Sequence, residues 1–425
     1  LRQQAEPVDE HSYARYLSDW QGLIRPARAM DGVHGAVEQL AGYALPARHL
    51  DSLVLPARIA DYSPAHLDQL ISTGEVVWWG IASVPGDAWI GLAPVDIAPA
   101  LLPIPEPVAP DSIEERVVQT LSSAGAVFFR DLYQHIAAHI PMTDDDLVRA
   151  LWELVWSGRV TNDSLHPVRA RLRHPNRRPG GSTTTAPSIA PRRSSRLPRR
   201  TRAPRGPSRT GPPQMAGRWA LLPDATTDPT VRALAVTEAM LDRYGILARS
   251  IVSAESPPGG FAATYRILTS LEDAGSIQRT YAVEGLGGAQ FAMPGVTDRL
   301  RRAAEAPPGV GLVLAAADPA NPYGASVPWP VRTDEGRPTR GAGAVVVLVD
   351  AQPVIWLDRG LASLLTWPAP AERLSFAIDS LVDAAPRLDT RIAVQRINGR
   401  SVRELPHDHG IVAAFQDRGF SMSPK

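Results

Sequence analysis

Apolar side chains at Tyr265, Leu268 and Leu271 fall three apart among polar neighbours, the spacing of one buried helical face. That pattern predicts a helix running from about residue 260 to a turn at Gly275. Two β-like runs follow, Ser276–Val283 and Ala289–Met293, split by a tip in which Gly285, Gly287 and Gly288 permit positive φ. A helix leading into a β-hairpin is the reading half of a winged helix, which presents the helix to a DNA groove and the wing to phosphates.

The same grammar recurs upstream. In DSIEERVVQTL, Asp111 or Ser112 is positioned to cap a helix, with Glu114 and Glu115 in its first turn. A second helix is expected over Phe128–His139. A third starts at Thr143 with Asp146 completing a capping box, carries Leu147, Leu151, Leu154 and Val155 on one face, and stops at Gly158 before a wing at Arg159–Thr161. Nearer the N-terminus, Ser12–Trp20, Gly32–Leu40 and Pro64–Ser72 read as helices, and Glu75–Ile81 with Ala88–Leu92 as a hairpin around Pro85-Gly86-Asp87. Arg218–Leu222 reads as a strand opening a third module, with helices at Pro229–Tyr244 and Leu247–Ala254. Beyond Pro307-Pro308, short apolar runs at Gly311–Ala316, Ala344–Asp350, Val354–Leu357, Ser363–Trp367 and Arg391–Ile397, with helices at 370–384 and 407–418, predict a small barrel or half-barrel. The expected fold class is α+β, with tandem winged helices followed by a small β-barrel-like domain with flanking helices. Its parts are a winged-helix-like unit at 1–100, a winged helix at 101–167, a linker at 168–217, a winged helix at 218–306 and the barrel at 307–425.

Composition changes this picture at one place. The formal net charge of the 425 residues is zero, but no acidic residue lies between Asp163 and Asp224, an interval holding fourteen arginines. The rest of the chain carries a net charge of −14. Within it, residues 171–213 lack hydrophobic periodicity and read as disordered, so the interval predicts a basic tether joining two acidic bodies. Six of its arginines on phosphates would give a salt slope of about −5 in log K; Arg192, Arg193, Arg199 and Arg200 are candidates for such contacts. The zero cysteine count excludes disulfides, thiolate metal sites and a cysteine nucleophile. No run of eighteen apolar residues suggests a membrane span. The absence of a secretory h-region sets the expectation of a cytoplasmic, nucleoid-associated protein without membrane partners. The chain opens on Leu1, which reads as a piece of something longer.

A nucleotide-hydrolysing P-loop needs a lysine on the phosphates, and the only lysine is Lys425. His407-Asp408-His409 lacks a third metal ligand at sensible spacing, so no metal site is expected. The adjacent Trp78-Trp79 suits base stacking or inward packing. Better founded as DNA contacts are Arg149 and Arg159 in the second module, and Thr264, Arg266, Arg279 and Tyr281 at matching places in the third. The loop AAADPANPYGASVPWP (315–330) stacks several turns and holds Asp318, Asn321 and Tyr323, either as a functional cluster or as a rigid stitch.

The blocks GGFAATYRILTSLEDAGSIQRTYAVEGLGGAQFAMPGVTDRLR, AAADPANPYGASVPWP and LPARHLDSLVLPARIADYSPAHLDQLISTGEVVWWG resemble the C-terminal region of the Lhr-type (large helicase-related) bacterial DNA helicases. The resemblance covers nearly everything except the tether. It implies an ATP-dependent 3′-to-5′ helicase whose motor, with its ATP and magnesium, lies outside this chain. It also implies no cofactor within the chain, self-association as a homotetramer, and a fold similar to AlkZ-type DNA glycosylases. Two functions follow as expectations. One is a module for DNA binding, to single strands or damaged duplex, and for oligomerisation in a repair helicase. The other is a DNA glycosylase removing uracil or another damaged base, with Asp318, Asn321 or Gln39 as catalytic candidates; Glu38-Gln39 is only a loose match to the glutamine-centred AlkZ motif.

Overall fold

A computed structural model describes residues 6–173, 211–307, 310–332, 334–388, 391–406 and 409–421. The chain forms two compact units, one built from 1–104 together with 223–425 and the other from 105–222. The smaller unit is therefore an insertion in the larger.

Three antiparallel three-stranded sheets share one topology. The first orders β1 (Leu45–Pro46), β3 (Asp87–Pro94) and β2 (Val76–Val84); the second β4 (Val127–Phe128), β6 (Arg218–Leu221) and β5 (Val160–Asn162); the third β7 (Ile246–Ala248), β9 (Gln290–Ala292) and β8 (Gln278–Thr280). Each is the sheet of a winged helix. In the first module the helix Ala29–Gln39, the helical segment Ala47–Arg58 and the helix Pro64–Thr73 precede a hairpin that turns at Pro85-Gly86, where Gly86 has φ +75°, while the helix Glu10–Trp20 shares a core with the third module through Tyr13, Tyr16 and Leu17. Ser63 caps the third of these helices, and Gly74, left-handed at φ +81°, ends it. Trp78 and Trp79 both point inward, at 0% and 2% exposure, so neither is free to stack on a base.

The second sheet corrects the expected domain boundary. Arg218–Leu221 does not open the third module; it pairs with β4 (Val127 opposite Trp219) and β5 (Val160 opposite Leu221) and closes the second. Trp219 is fully buried there. The basic interval is thus an insertion into one wing rather than a tether between bodies; of the stretch expected to be disordered, residues 174–210 lie outside the described residues. His166–Arg173 is a helix, and Met215 is buried in a short turn at Pro213–Met215. Arg192, Arg193, Arg199 and Arg200 lie outside the described residues. The predicted capping box is present, with Thr143 accepting from the Asp146 amide and the Asp146 carboxylate accepting from the Thr143 amide.

The third module starts with the helix Pro229–Tyr244, capped by Asp228. Leu247–Ala254, expected as one helix, is divided between β7 and the helix Arg249–Glu255. The helix Gly260–Asp273 and the β8–β9 wing complete the module.

After residue 310 the expected barrel is, among the described residues, an open six-stranded sheet. Its strands run in order: β10 (Gly311–Ala315), β11 (Val345–Val349), β12 (Gln352–Leu357), β13 (Ser363–Thr366), β14 (Arg396–Ile397) and β15 (Arg400–Ser401). All neighbours are antiparallel except β13 and β14. Strand β11, VVVLV, is buried at every position, which accounts for its unbroken apolar run. The helix Ala371–Ala384 packs on β10 to β12 through Ala377, Ile378 and Leu381. No helix among the described residues is long and apolar enough to cross a membrane.

Candidate nucleic-acid interface

In a winged helix the outward stripe of the third helix and the wing beside it are what meet nucleic acid. The three modules differ sharply there. In the first, the outward stripe is Ala65, Gln69 and Ser72, without a cation. In the second it is dominated by carboxylates. Asp144, Asp145 and Asp146 occupy the first turn, where a phosphate would otherwise be drawn by the helix dipole. The Glu153 carboxyl is pushed above its ordinary range by burial and by neighbouring Glu114. Arg149 on this helix is exposed but bound to Asp146 at 2.6 Å. Arg159 does something else. Its guanidinium donates to the carbonyl of Glu106 at 2.5 Å, while its own carbonyl accepts from Leu222 at 2.9 Å. One residue thereby clasps the entry and exit of the inserted unit.

The third module carries the cationic, aromatic face. Along Gly260–Asp273, Leu268 and Thr264 face the core, leaving Ala262, Arg266, Ser270 and Asp273 outward. Thr264, expected on the surface, is 3% exposed and donates to the Gly260 carbonyl of its own helix. Arg266 is exposed. Beside it runs a ladder of rings and guanidiniums. Arg249 lies over Phe261 at 5.3 Å, Phe261 contacts Tyr265 at 5.6 Å, and Arg279 lies 4.9 Å from the ring centre of Phe291 and 5.9 Å from that of Tyr265. Arg279 also donates twice to Glu272, at 3.1 and 2.7 Å, which raises its pKa and fixes its position without removing it from solvent. Tyr281 is 51% exposed on the wing.

The wing is held rigidly. Buried Gln290 accepts from the amides of Ala282 and Val283, both at 3.0 Å, and donates to the carbonyls of Val283 and Gly287 at 2.6 and 3.1 Å. Val8 braces the same segment, its amide donating to Ala282 and its carbonyl accepting from Glu284, each at 2.8 Å. Arg249, Phe261 and Gln290 escaped the sequence reading. The four-residue spacing of Phe261 and Tyr265 was the available signal; Gln290, a polar residue inside an apolar strand, was another.

The 315–330 loop is a stitch inside the larger unit. Asp318, wholly buried, accepts from both terminal nitrogens of Arg58 at 2.9 and 2.8 Å and from the Ala320 amide at 2.8 Å. Arg58, 3% exposed, also donates to the Val54 carbonyl at 2.9 Å and to the Gln21 side chain. Asn321, equally buried, donates to the Ala316 carbonyl at 2.8 Å and accepts from the Tyr323 amide at 3.2 Å. Arg340 gathers the carbonyls of Ala317 and Asp318, each at 3.1 Å. Gln39 donates to the Trp20 carbonyl at 3.1 Å, far from this loop in sequence and in role. The three alternative catalytic candidates are each engaged in holding backbone or a buried charge. His407 and Asp408 lie outside the described residues.

Comparison with known proteins adds the family context. Residues 226–311 and 8–95 each match a large helicase-related protein winged-helix domain. The chain is 41% identical over 440 residues to a Mycolicibacterium smegmatis protein described as "Lhr helicase/ probable uracil glycosylase", and 35% identical over 454 residues to an Escherichia coli "Lhr helicase/uracil glycosylase". These alignments take in all of this chain but 28% and 29% of the relatives' lengths. Among solved structures, Streptomyces sahachiroi DNA glycosylase AlkZ is similar in fold, with a TM-score of 0.53 at 13% identity over 92% of this chain and 100% of that one.

Proposed function

Starting from a chain that carries winged-helix domains of the large helicase-related type, we propose that it is the DNA-binding and assembly part of an Lhr helicase. In this reading ATP-driven unwinding belongs to the rest of such a protein, and the chain supplies grip. The observation that carries it is the Arg249–Phe261–Tyr265–Arg279 ladder flanking Arg266 on the third module, since among the described residues the outward third-helix stripe of the first module holds no cation and that of the second holds Arg149 bound to Asp146. Guanidiniums meet phosphates while the helix stripe enters a groove, and small Ala262 and Ser270 let the backbone approach. Titration of fluorescent duplex DNA with the Arg266→Ala/Arg279→Ala variant tests this. Each lost phosphate contact flattens the slope of log K against log salt by about 0.9, so the pair lowers it by about 2. Unchanged slope and affinity would defeat the reading. The resemblance extends it to homotetramer formation, checked by sedimentation equilibrium, and to a cytoplasmic place on the nucleoid.

A second reading, excision of uracil or another damaged base, is favoured by the relatives' names and by the AlkZ-like fold. Incubation of the chain with a uracil-containing oligonucleotide, then alkali, reads it as strand breakage. Asp318 and Asn321 have no exposed surface. Breakage lost in Asp318→Asn with stability intact would make Asp318 the catalytic carboxylate; retained breakage would move the chemistry elsewhere.

A further inference from the structure

Away from the winged helices, the last part of the larger unit holds a cleft of about 1220 Å³ between the segment 391–403 and the helix Gly410–Gln416. Its floor is apolar, with Ile397 and Phe415 at 3% and 7% exposure. Phe420 stands edge-on to Phe415 at 5.0 Å and is half-buried at the rim. Arg391, Arg396 and Arg403 line it, are exposed, and have no ion-pair partner among the described residues. A fourth lining arginine, Arg418, is already bound to Asp379 at 3.0 Å. The described lining residues include no carboxylate.

The geometry points to a binding site for single-stranded DNA in this cleft, resting on the reading of the chain as a DNA-handling module. A lone inorganic anion would use the guanidiniums and leave the apolar floor uncovered. A duplex keeps its base faces stacked inside and has nothing to offer Phe420. An unpaired strand matches both halves of the cleft, phosphates to the three arginines and base faces to the aromatic rim. The site is built from different elements than the third-module face, so the two surfaces can hold the unpaired and the paired parts of one DNA.

The test is fluorescence anisotropy of this chain with a short labelled oligothymidylate, run beside the duplex titration. Three phosphate contacts on a single strand give a salt slope of about −2. Arg391→Ala/Arg396→Ala/Arg403→Ala is expected to abolish that slope while leaving duplex affinity unchanged. Phe420→Ala weakens single-strand binding about tenfold with the slope kept. Arg266→Ala/Arg279→Ala has the converse effect, so failure of one site is separable from failure of the other. Photo-cross-linking of a 5-iodouracil strand to unmodified chain gives an answer independent of variant folding, with adducts expected within 391–421. Adducts only elsewhere, single-strand affinity unchanged in the cleft variants, no single-strand binding at all, or equal competition by polyglutamate would each overturn the proposal.

Discussion

Replacing Asp318 by alanine strands a guanidinium that has almost no access to water. Arg58 and Asp318 have side-chain exposures of 2% and 0%, joined by two bonds of 2.8 and 2.9 Å. Removing one partner of such a pair costs about 3–5 kcal/mol, chiefly because the remaining charge is left buried and uncompensated. The Ala320 amide, 2.8 Å from the same carboxylate, loses its acceptor as well. At a urea slope of about 3 kcal/mol per molar, the unfolding midpoint of the larger unit should fall by about 1–1.7 M. Asp318→Leu combined with Arg58→Met removes both charges and should restore most of that loss, since buried pairs replaced by apolar residues of similar volume are often no less stable. The recovery stays incomplete because Gln21 and the Val54 carbonyl lose their donor. Tryptophan fluorescence reports the transition, as Trp329 within the loop stacks on Trp367 at 5.6 Å. A single-variant loss below about 1 kcal/mol, or a double variant worse than the single, would refute the clamp.

Three other outcomes are expected. His49 is held down to about 4 by burial, with the Arg48 charge adding to it. Its folded form stays neutral while the unfolded chain takes up a proton below about 6.5, so stability is fully present above that pH and declines by about 3 kcal/mol as pH falls to about 4. His49→Gln should lack that part of the decline in urea melts, and matching pH slopes would contradict the assignment. Trp219→Ala should cost about 3–5 kcal/mol and, by hydrogen exchange, expose the amides of 113–162 while those of 246–292 stay protected; the reverse pattern would return β6 to the third module. Thr143→Ala removes one side of the capping box and should cost about 1 kcal/mol in the smaller unit, read by the same exchange experiment, with no change in duplex binding.

Local signals carried most of the helices. The Ser112 cap, the Thr143–Asp146 box and the Gly158 and Gly275 stops are written in neighbouring residues and are found where spacing puts them. Partner choice between strands is not local. Nothing within RWALL says that it pairs with residues 127 and 160 rather than with those that follow, so the module boundary was misplaced. The same holds for charged residues. Arg159 and Arg279 look alike in sequence, yet one ties two chain ends and the other lies on aromatic rings. Asp318 in a turn-rich loop suggested chemistry, and its partner Arg58 sits 260 residues away.

The late arrival of β6 constrains how the smaller unit is made. Between Asn162 and Arg218 the wing holds fifty-five residues where a tight hairpin holds a few, and closing the longer loop costs about 2 kcal/mol more in chain entropy. On the ribosome the helices 113–156 emerge well before the strand that seals their sheet, and must wait for it. Because closure cost grows only logarithmically, that stretch is also the place where length can drift between lineages, or a foreign segment be spliced in, at little expense to the scaffold.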